Sequence, residues 1–182
     1  MILIVNTTTD RTITENLHAE LMKKGFSEAR TDESDGKKKE TYEIVEAGER
    51  KISPCIGCNF CWLKTPGICS IKDDYEEILK KMIHADQLWV ISETALGFLD
   101  HKGKNIYDRI LPLATMHLHF KGKQMRHYRR YKQKTDFGLI FSGDAEKDYL
   151  ERWNGRAALN FEAKSLGVFS KDEIKEAVTC ML

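Results

Sequence analysis

Four of the chain's five cysteines fall within fifteen residues, as Pro54-Cys55-Ile56-Gly57-Cys58-Asn59-Phe60-Cys61-Trp62 and then Cys69. The spacing C-x2-C-x2-C-x7-C is a ligand pattern more than a packing pattern, because the two-residue gaps can turn successive thiols toward one centre. A structural zinc site usually draws two Cys pairs, or a Cys and a His pair, from places well apart in sequence. Three close thiols with a fourth a little further on match better the binding loop of an iron–sulfur cluster. A cysteine-rich loop without metal is the third reading. With a cluster, Cys55, Cys58, Cys61 and Cys69 are the ligands, and Phe60, Trp62 and Ile68 shield the centre from water and tune its potential.

A second set of groups follows the first apolar run. Residues 6–14 carry five threonines and an arginine at the start of a helical pattern. Free N–H groups and the macrodipole at a helix N-terminus attract phosphate, and hydroxyls and a guanidinium add donors. Capping of the helix by threonine and aspartate explains the same residues equally well. The basic run from Lys121 to Lys134 holds seven Lys or Arg, interleaved with Tyr128 and Tyr131, and no acidic residue. That pattern serves single-stranded nucleic acid in some proteins. The near-neutral chain counts against nucleic acid here, and favours a solvated loop or a site for an anion such as the NADPH phosphate. His117, His119 and His127 are proton-transfer candidates, but no fixed spacing to a carboxylate makes a triad.

Elements that position these groups alternate along the chain. Continuous apolar runs mark strands buried on both faces, and spaced apolar residues mark helices. Strands are expected at 2–5, 41–47, 87–92, 135–142 and 163–169. Helices are expected at 13–24, 75–84, 105–119 (interrupted near Pro112), 146–162 and 171–181. Asp73 or Asp74 caps the second helix and Ser170 the last. Residues 29–40 read as a solvated connection with a turn at Asp35-Gly36, and the cysteine loop fills 52–72. The alternation argues for one α/β domain over residues 1–182, with a parallel sheet covered on both faces. Ligands of such sheets bind beyond the carboxyl ends of the strands. Those ends are residues 6–14, 93–104 and 142–145.

Formal net charge is +1, so no global field draws the chain to nucleic acid or membrane. No basic leader precedes the apolar run, and no apolar stretch reaches the ~20 residues of a membrane span. The odd Cys180 fits a reducing compartment. The expectation is a cytoplasmic protein.

Together the motifs resemble the flavodoxin-like NAD(P)H-dependent FMN reductases, in particular the branch containing the iron–sulfur flavoproteins. The resemblance rests on Cys55-Ile56-Gly57-Cys58, Cys61-Trp62, Gly67-Ile68-Cys69 and Asp73-Asp74, on Lys104-Asn105-Ile106-Tyr107-Asp108-Arg109, and on Gly122, His127 and Arg130-Tyr131. It implies a three-layer α/β/α fold with a five-stranded parallel sheet in the order 2-1-3-4-5. It also implies FMN at the carboxyl edge, NAD(P)H as donor, a homodimer, a small-molecule electron acceptor, and a 4Fe-4S cluster on the four cysteines. Thr8, Arg11, Thr12 and Thr14 then hold the flavin phosphate, while Glu93, Thr94, Ala95, Leu96, Gly97, Ser142 and Gly143 line the ring.

Two loops depart from that family's pattern. Thr7, Thr8 and Thr9 replace its Gly-Ser-Pro, and Glu93 stands where it has proline. A carboxylate beside a flavin that becomes anionic on reduction disfavours the reduced state. Hence two competing readings: a binding or regulatory module on this fold that has lost FMN, and an electron carrier with no NAD(P)H site.

Overall fold

The computed structural model describes residues 1–29 and 41–182; most of the connection expected at 29–40, with its turn, lies outside the described residues. The first strand, β1 (Ile2–Asn6), is buried along its whole length. Its side chains alternate between faces: Leu3 and Val5 enter one hydrophobic cluster, Ile2 and Ile4 the other. The same period of two divides Leu88 and Val90 from Trp89 and Ile91 in β4 (Gln87–Ala95). A strand buried on both faces must be covered twice, and helices do it.

On one face lie α1 (Thr12–Lys23), through Ile13, Leu17 and Leu21, and α6 (Ile174–Thr179), through Ile174, Ala177 and Val178. On the other lie α3 (Tyr75–Met82), α4 (His101–Asp108) and α5 (Lys147–Asn160). The strands between are β2 (Ser27–Glu28), β3 (Thr41–Glu46), β5 (Phe98–Leu99), β8 (Asp136–Ser142) and β9 (Ser165–Ser170). They order as β2-β3-β1-β4-β8-β9, with β5 folded back on β4. All pairs on that path are parallel, and within this sheet the β4–β5 pair is antiparallel. The five expected strands are β1, β3, β4, β8 and β9, in the expected order.

Close approach sets one glycine. A Cβ on Gly138 of β8 would sit 2.3 Å from the ring of Trp89 on the neighbouring strand. Only a residue without a side chain lets that indole, fully buried, lie across the sheet. Replacing a core residue such as Leu3 by alanine costs about 2–5 kcal/mol.

Three expectations are corrected. The helix expected at 105–119 ends at Asp108; a 3-10 turn (Leu111–Leu113) follows, and then an antiparallel hairpin of β6 (Ala114–Lys121) and β7 (Gln124–Arg129). Pro112 lacks the N–H a helix would need, and Lys121-Gly122-Lys123 makes the turn with Gly122 at φ +62°. The basic stretch is therefore half strand rather than loop. The last helix begins at Ile174, not 171, and Glu173 rather than Ser170 organises its entry by accepting the Ser170 N–H at 2.8 Å. Finally, two short strands, β2 and β5, extend the sheet beyond five.

Candidate functional site

The cysteine loop leaves β3 and is pinned at both ends. Lys51 N–H donates to Asp74 at 2.7 Å and Ser53 N–H to Asp73 at 2.8 Å. Asn105 of α4 donates to the Ile52 carbonyl at 3.0 Å. Within the loop a single helical turn, α2 (Phe60–Leu63), follows Asn59 at φ +58°. Cys55, Cys58, Cys61 and Cys69 all line one small cavity of about 20 Å³, with Arg109 and Pro112 also on its wall.

Arg109 dominates that wall. Its side chain is 0% exposed and pairs with Asp73 at 2.6 Å. It also donates to the carbonyls of Ser53 (3.1 Å) and Ile71 (3.4 Å) and to Cys69 Sγ (3.5 Å), and lies 4.4 Å from the Tyr75 ring centroid. Its Nε–H is buried with no partner among the described residues. The guanidinium thus ties both ends of the loop together and keeps one donor free. Burial would raise the Asp73 carboxyl, but Arg109 and the Ser53 N–H outweigh it and hold it below the ordinary value.

The thiols differ. Burial, then the neighbouring Cys69, Cys55 and Cys58, push Cys61 up, whereas the Ser70 hydroxyl at 3.2 Å and the Phe60 N–H bring Cys58 down. Cys61 thus lies within electrostatic reach of the other three thiols. Among the described residues no three His, Cys, Asp or Glu gather tightly enough for a single metal ion. A single zinc at ~2.3 Å from each sulfur needs the thiols almost in contact; a cluster with an iron at each corner spreads its ligands further. A free buried cationic donor beside these thiols also suits an anionic iron–sulfur centre. By type, four thiols on one cavity wall are the donors an iron–sulfur cluster would take.

The carboxyl edge of the sheet carries the other candidates, and the structure brings them together. Thr7 bonds the Ile91 carbonyl through both N–H and hydroxyl, at 2.8 Å each, which joins the β1 and β4 ends. Residues 93–99 form a hairpin whose tip, Leu96 and Gly97, has positive φ at both positions, the geometry of a tight primed turn. The Gly97 carbonyl accepts the Glu146 N–H at 2.9 Å, and Thr94 donates to the Ser142 carbonyl at 3.3 Å. Gly143, at φ +114°, admits that contact, since a Cβ would stand 2.4 Å from Thr94 Oγ1. Glu93, Ala95 and Leu96 are exposed, leaving an open shelf beside Ser142 and Gly143.

The phosphate-side residues are differently committed. Thr8, buried, donates to Asn6 Oδ1 at 2.9 Å, and Thr14 to Glu46 at 2.8 Å. Thr12 gives Asp10 its hydroxyl at 2.6 Å and its N–H at 3.0 Å. These bonds, with that hydroxyl first, lower the Asp10 carboxyl. Asn6 completes the set by donating to Glu46 at 2.8 Å. Arg11 and Thr12 are exposed. Two carboxylates, Asp10 and Glu46, thus take the donors a phosphate would need. The β1–α1 loop in this arrangement does not fit a flavin phosphate. Sequence reasoning read Asp10 only as a cap and missed Glu46, which sits at the end of β3 with no local motif around it.

The arginines of the basic stretch turn inward, while Lys121, Lys123, Lys132 and Lys134 stay exposed. Arg130 bonds the carbonyls of Pro112, Ala114 and Cys61 at 3.0–3.3 Å, and Arg129 those of Lys132 and Gln133. Trp62 donates to the Leu111 carbonyl at 2.9 Å and packs against His127, ring centroids 4.9 Å apart and tilted by 37°. The hairpin is a buttress of the cysteine loop.

No family model matches the chain. Over 71 residues, 39% of this chain and 36% of the relative, it is 41% identical to an iron–sulfur flavoprotein of Methanocaldococcus jannaschii. Over 67 residues, 37% of this chain and 32% of the relative, it is 39% identical to an iron–sulfur flavoprotein of Archaeoglobus fulgidus. The matched stretch spans about a third of those relatives. Among solved structures, an NAD(P)H:quinone oxidoreductase from Methanothermobacter marburgensis superposes with TM-score 0.59 at 14% identity, over 98% of this chain and 93% of that one. An FMN-dependent NADH-azoreductase from Bacillus anthracis, solved with FMN, gives 0.52 at 12% identity, over 99% and 98%.

By fold, then, the chain is a flavodoxin-like α/β protein of the kind seen in NAD(P)H-dependent flavin reductases. Over about two fifths of its length its sequence is similar to iron–sulfur flavoproteins. Among the described residues no helix is long and apolar enough to cross a membrane.

Proposed function

We propose that the chain is a flavin-dependent oxidoreductase of the iron–sulfur flavoprotein kind, passing electrons from NAD(P)H to a small acceptor, with a 4Fe-4S cluster on Cys55, Cys58, Cys61 and Cys69. One observation carries it: four thiols line a single cavity whose wall holds a buried guanidinium with a free N–H. When bound, the cluster would supply one-electron transfer and the flavin hydride acceptance. The chain's own residues do the positioning. Arg109 and Asp73 fix the loop ends, Trp62 and the hairpin restrict water, and the 93–97 shelf with Ser142 and Gly143 offers the ring a surface.

Anaerobic reconstitution with iron and sulfide tests the reading. About four irons and four sulfides per chain are expected for a cubane cluster, and Cys58→Ala abolishes uptake. A chain that binds neither iron nor flavin sinks the proposal. A second reading, a flavin-free electron carrier or binding module, is favoured by Asp10 and Glu46 in the β1–α1 loop. Flavin titration of the same preparation separates the two.

A further inference from the structure

The base of the β6–β7 hairpin is tied to the cysteine loop, but its tip is free. Phe120 opposes Met125, Lys121 opposes Gln124, and Gly122 with Lys123 makes the bend. Directly opposed residues share a face, as do residues two apart on a strand. Leu118, Phe120 and Met125 therefore point the same way. The opposite face is held to the body. His119 stacks on Tyr128 with ring centroids 4.3 Å apart, and His119 and Lys121 lie 3.7 and 3.8 Å from Glu162, just beyond α5. The apolar face thus looks outward, with Phe120 76% and Met125 56% exposed.

Charge says what such a tip meets. From Arg109 to Thr135 the sequence holds no Asp or Glu. Lys121 and Lys123, both exposed, flank the turn. Glu162, which reaches Lys121, is shared with His119 and Arg129. Exposed apolar side chains rimmed by lysines suit the headgroup boundary of an anionic bilayer, where burial and attraction to lipid charge add. A second copy brings the same lysines and no carboxylate on this segment. A nucleic-acid strand asks for aromatic platforms, and of Leu118, Phe120 and Met125 only Phe120 has a ring. Net charge is only +1, so the attraction is local and turns the tip toward the surface. We propose that the β6–β7 tip docks on an anionic phospholipid bilayer, with Phe120 and Met125 entering the headgroup boundary and Lys121 and Lys123 meeting the lipid phosphates and carboxylates. Neither a flavin nor the cysteine loop takes part.

Co-sedimentation of the full chain with phosphatidylcholine vesicles carrying about 30% phosphatidylserine tests this, against vesicles of phosphatidylcholine alone. Binding should need phosphatidylserine and fall with added salt. Phe120→Ser with Met125→Ser, both at exposed positions, should weaken it by about tenfold or more. Lys121→Gln with Lys123→Gln should do the same through lost attraction. Thermal unfolding of both double variants should match the parent. Phe120→Trp should keep binding, and its added emission should shift to the blue on phosphatidylserine vesicles as the indole leaves water. No binding to either vesicle, equal binding to both, binding that neither double variant weakens, or an unshifted Phe120→Trp emission overturns the proposal. So does a chain that ignores vesicles and instead dimerises, or takes a single-stranded oligonucleotide, in a way that Phe120→Ser with Met125→Ser abolishes.

Discussion

Replacing Asp73 by asparagine isolates the contribution of the ion pair behind the cysteines. The side chains of Arg109 and Asp73 are 0% and 2% exposed, so the small values of surface pairs do not apply. Removing one partner of a buried pair costs about 3–5 kcal/mol, because the other charge stays behind unpaired. Asparagine keeps one oxygen, which can hold the Ser53 N–H now on Oδ2 at 2.8 Å but not also the Tyr75 N–H now on Oδ1 at 3.2 Å. The Tyr75 ring also stays under the guanidinium, worth about 0.5–2 kcal/mol. A net loss of about 3 kcal/mol is expected. At about 2–4 °C per kcal/mol for a chain of this length, Tm falls by about 6–12 °C.

Urea unfolding of the metal-free chain measures the loss directly. The double variant Asp73→Asn with Arg109→Met removes both charges, and should lose less than the sum of the singles by about 2 kcal/mol. The pH dependence carries the same sign. The folded Asp73 pKa lies below its ordinary 3.8, so its contribution is complete above that value and is lost as pH falls through the folded pKa. Asp73→Asn should therefore flatten the acid limb of the stability profile. A cost below about 1 kcal/mol, or additive singles, would refute the account of Arg109 as a charge held by Asp73.

Neutralising Asp10 and Glu46 together (Asp10→Asn, Glu46→Gln) should tighten FMN by about tenfold or more and leave riboflavin unchanged, read by flavin fluorescence quenching; equal shifts for both would remove the carboxylates as the cause. Glu93→Gln should raise the midpoint potential of bound flavin, because a carboxylate beside it opposes the reduced anion; an unchanged potential would show that Glu93 does not face the ring. Gly143→Ala should destabilise by about 1–3 kcal/mol, from positive φ and the Thr94 contact. Gly155→Ala in α5, where a Cβ meets nothing within 4 Å, should stabilise by about 0.5–1 kcal/mol. Thermal unfolding of the two variants should move in opposite directions.

The central sheet was legible because its strands are buried on both faces, and burial writes itself as continuous apolar runs. The hairpin was not. Met116, Leu118 and Phe120 in β6 are exposed while Arg126 and Arg129 in β7 are partly buried, so hydrophobicity along those strands does not report which side faces the protein. His117 and His119 sit two apart on a strand, where a helical reading had placed them on a turn. At the carboxyl edge the threonines were visible, but the choice between phosphate and capping was not. It turned on Glu46, which comes from a different strand and meets Asn6 and Thr14 only because β1 and β3 pair in register, with Asn6 opposite Glu46.

The cysteine spacing was the strongest signal in the chain, and what it left out is the frame around it. A loop of about twenty residues carrying only one helical turn needs its ends closed to stay in place. Asp73 and Asp74, read from sequence as helix caps, close it by reaching back to Ser53 and Lys51. Arg109 then binds the carbonyls of Ser53 and Ile71 at once. Arg109 is placed by α4, whose first turn is fixed at the other end by Asp100, bonded to Gly103 N–H at 2.9 Å and to the Ser92 hydroxyl at 3.0 Å. One helix therefore begins at the β4–β5 hairpin and ends at the guanidinium beside the thiols. Eight residues at about 1.5 Å each span about 12 Å, so a change in the β4–β5 hairpin that tilts α4 moves Arg109 with it, and the two sites share a single rigid strut.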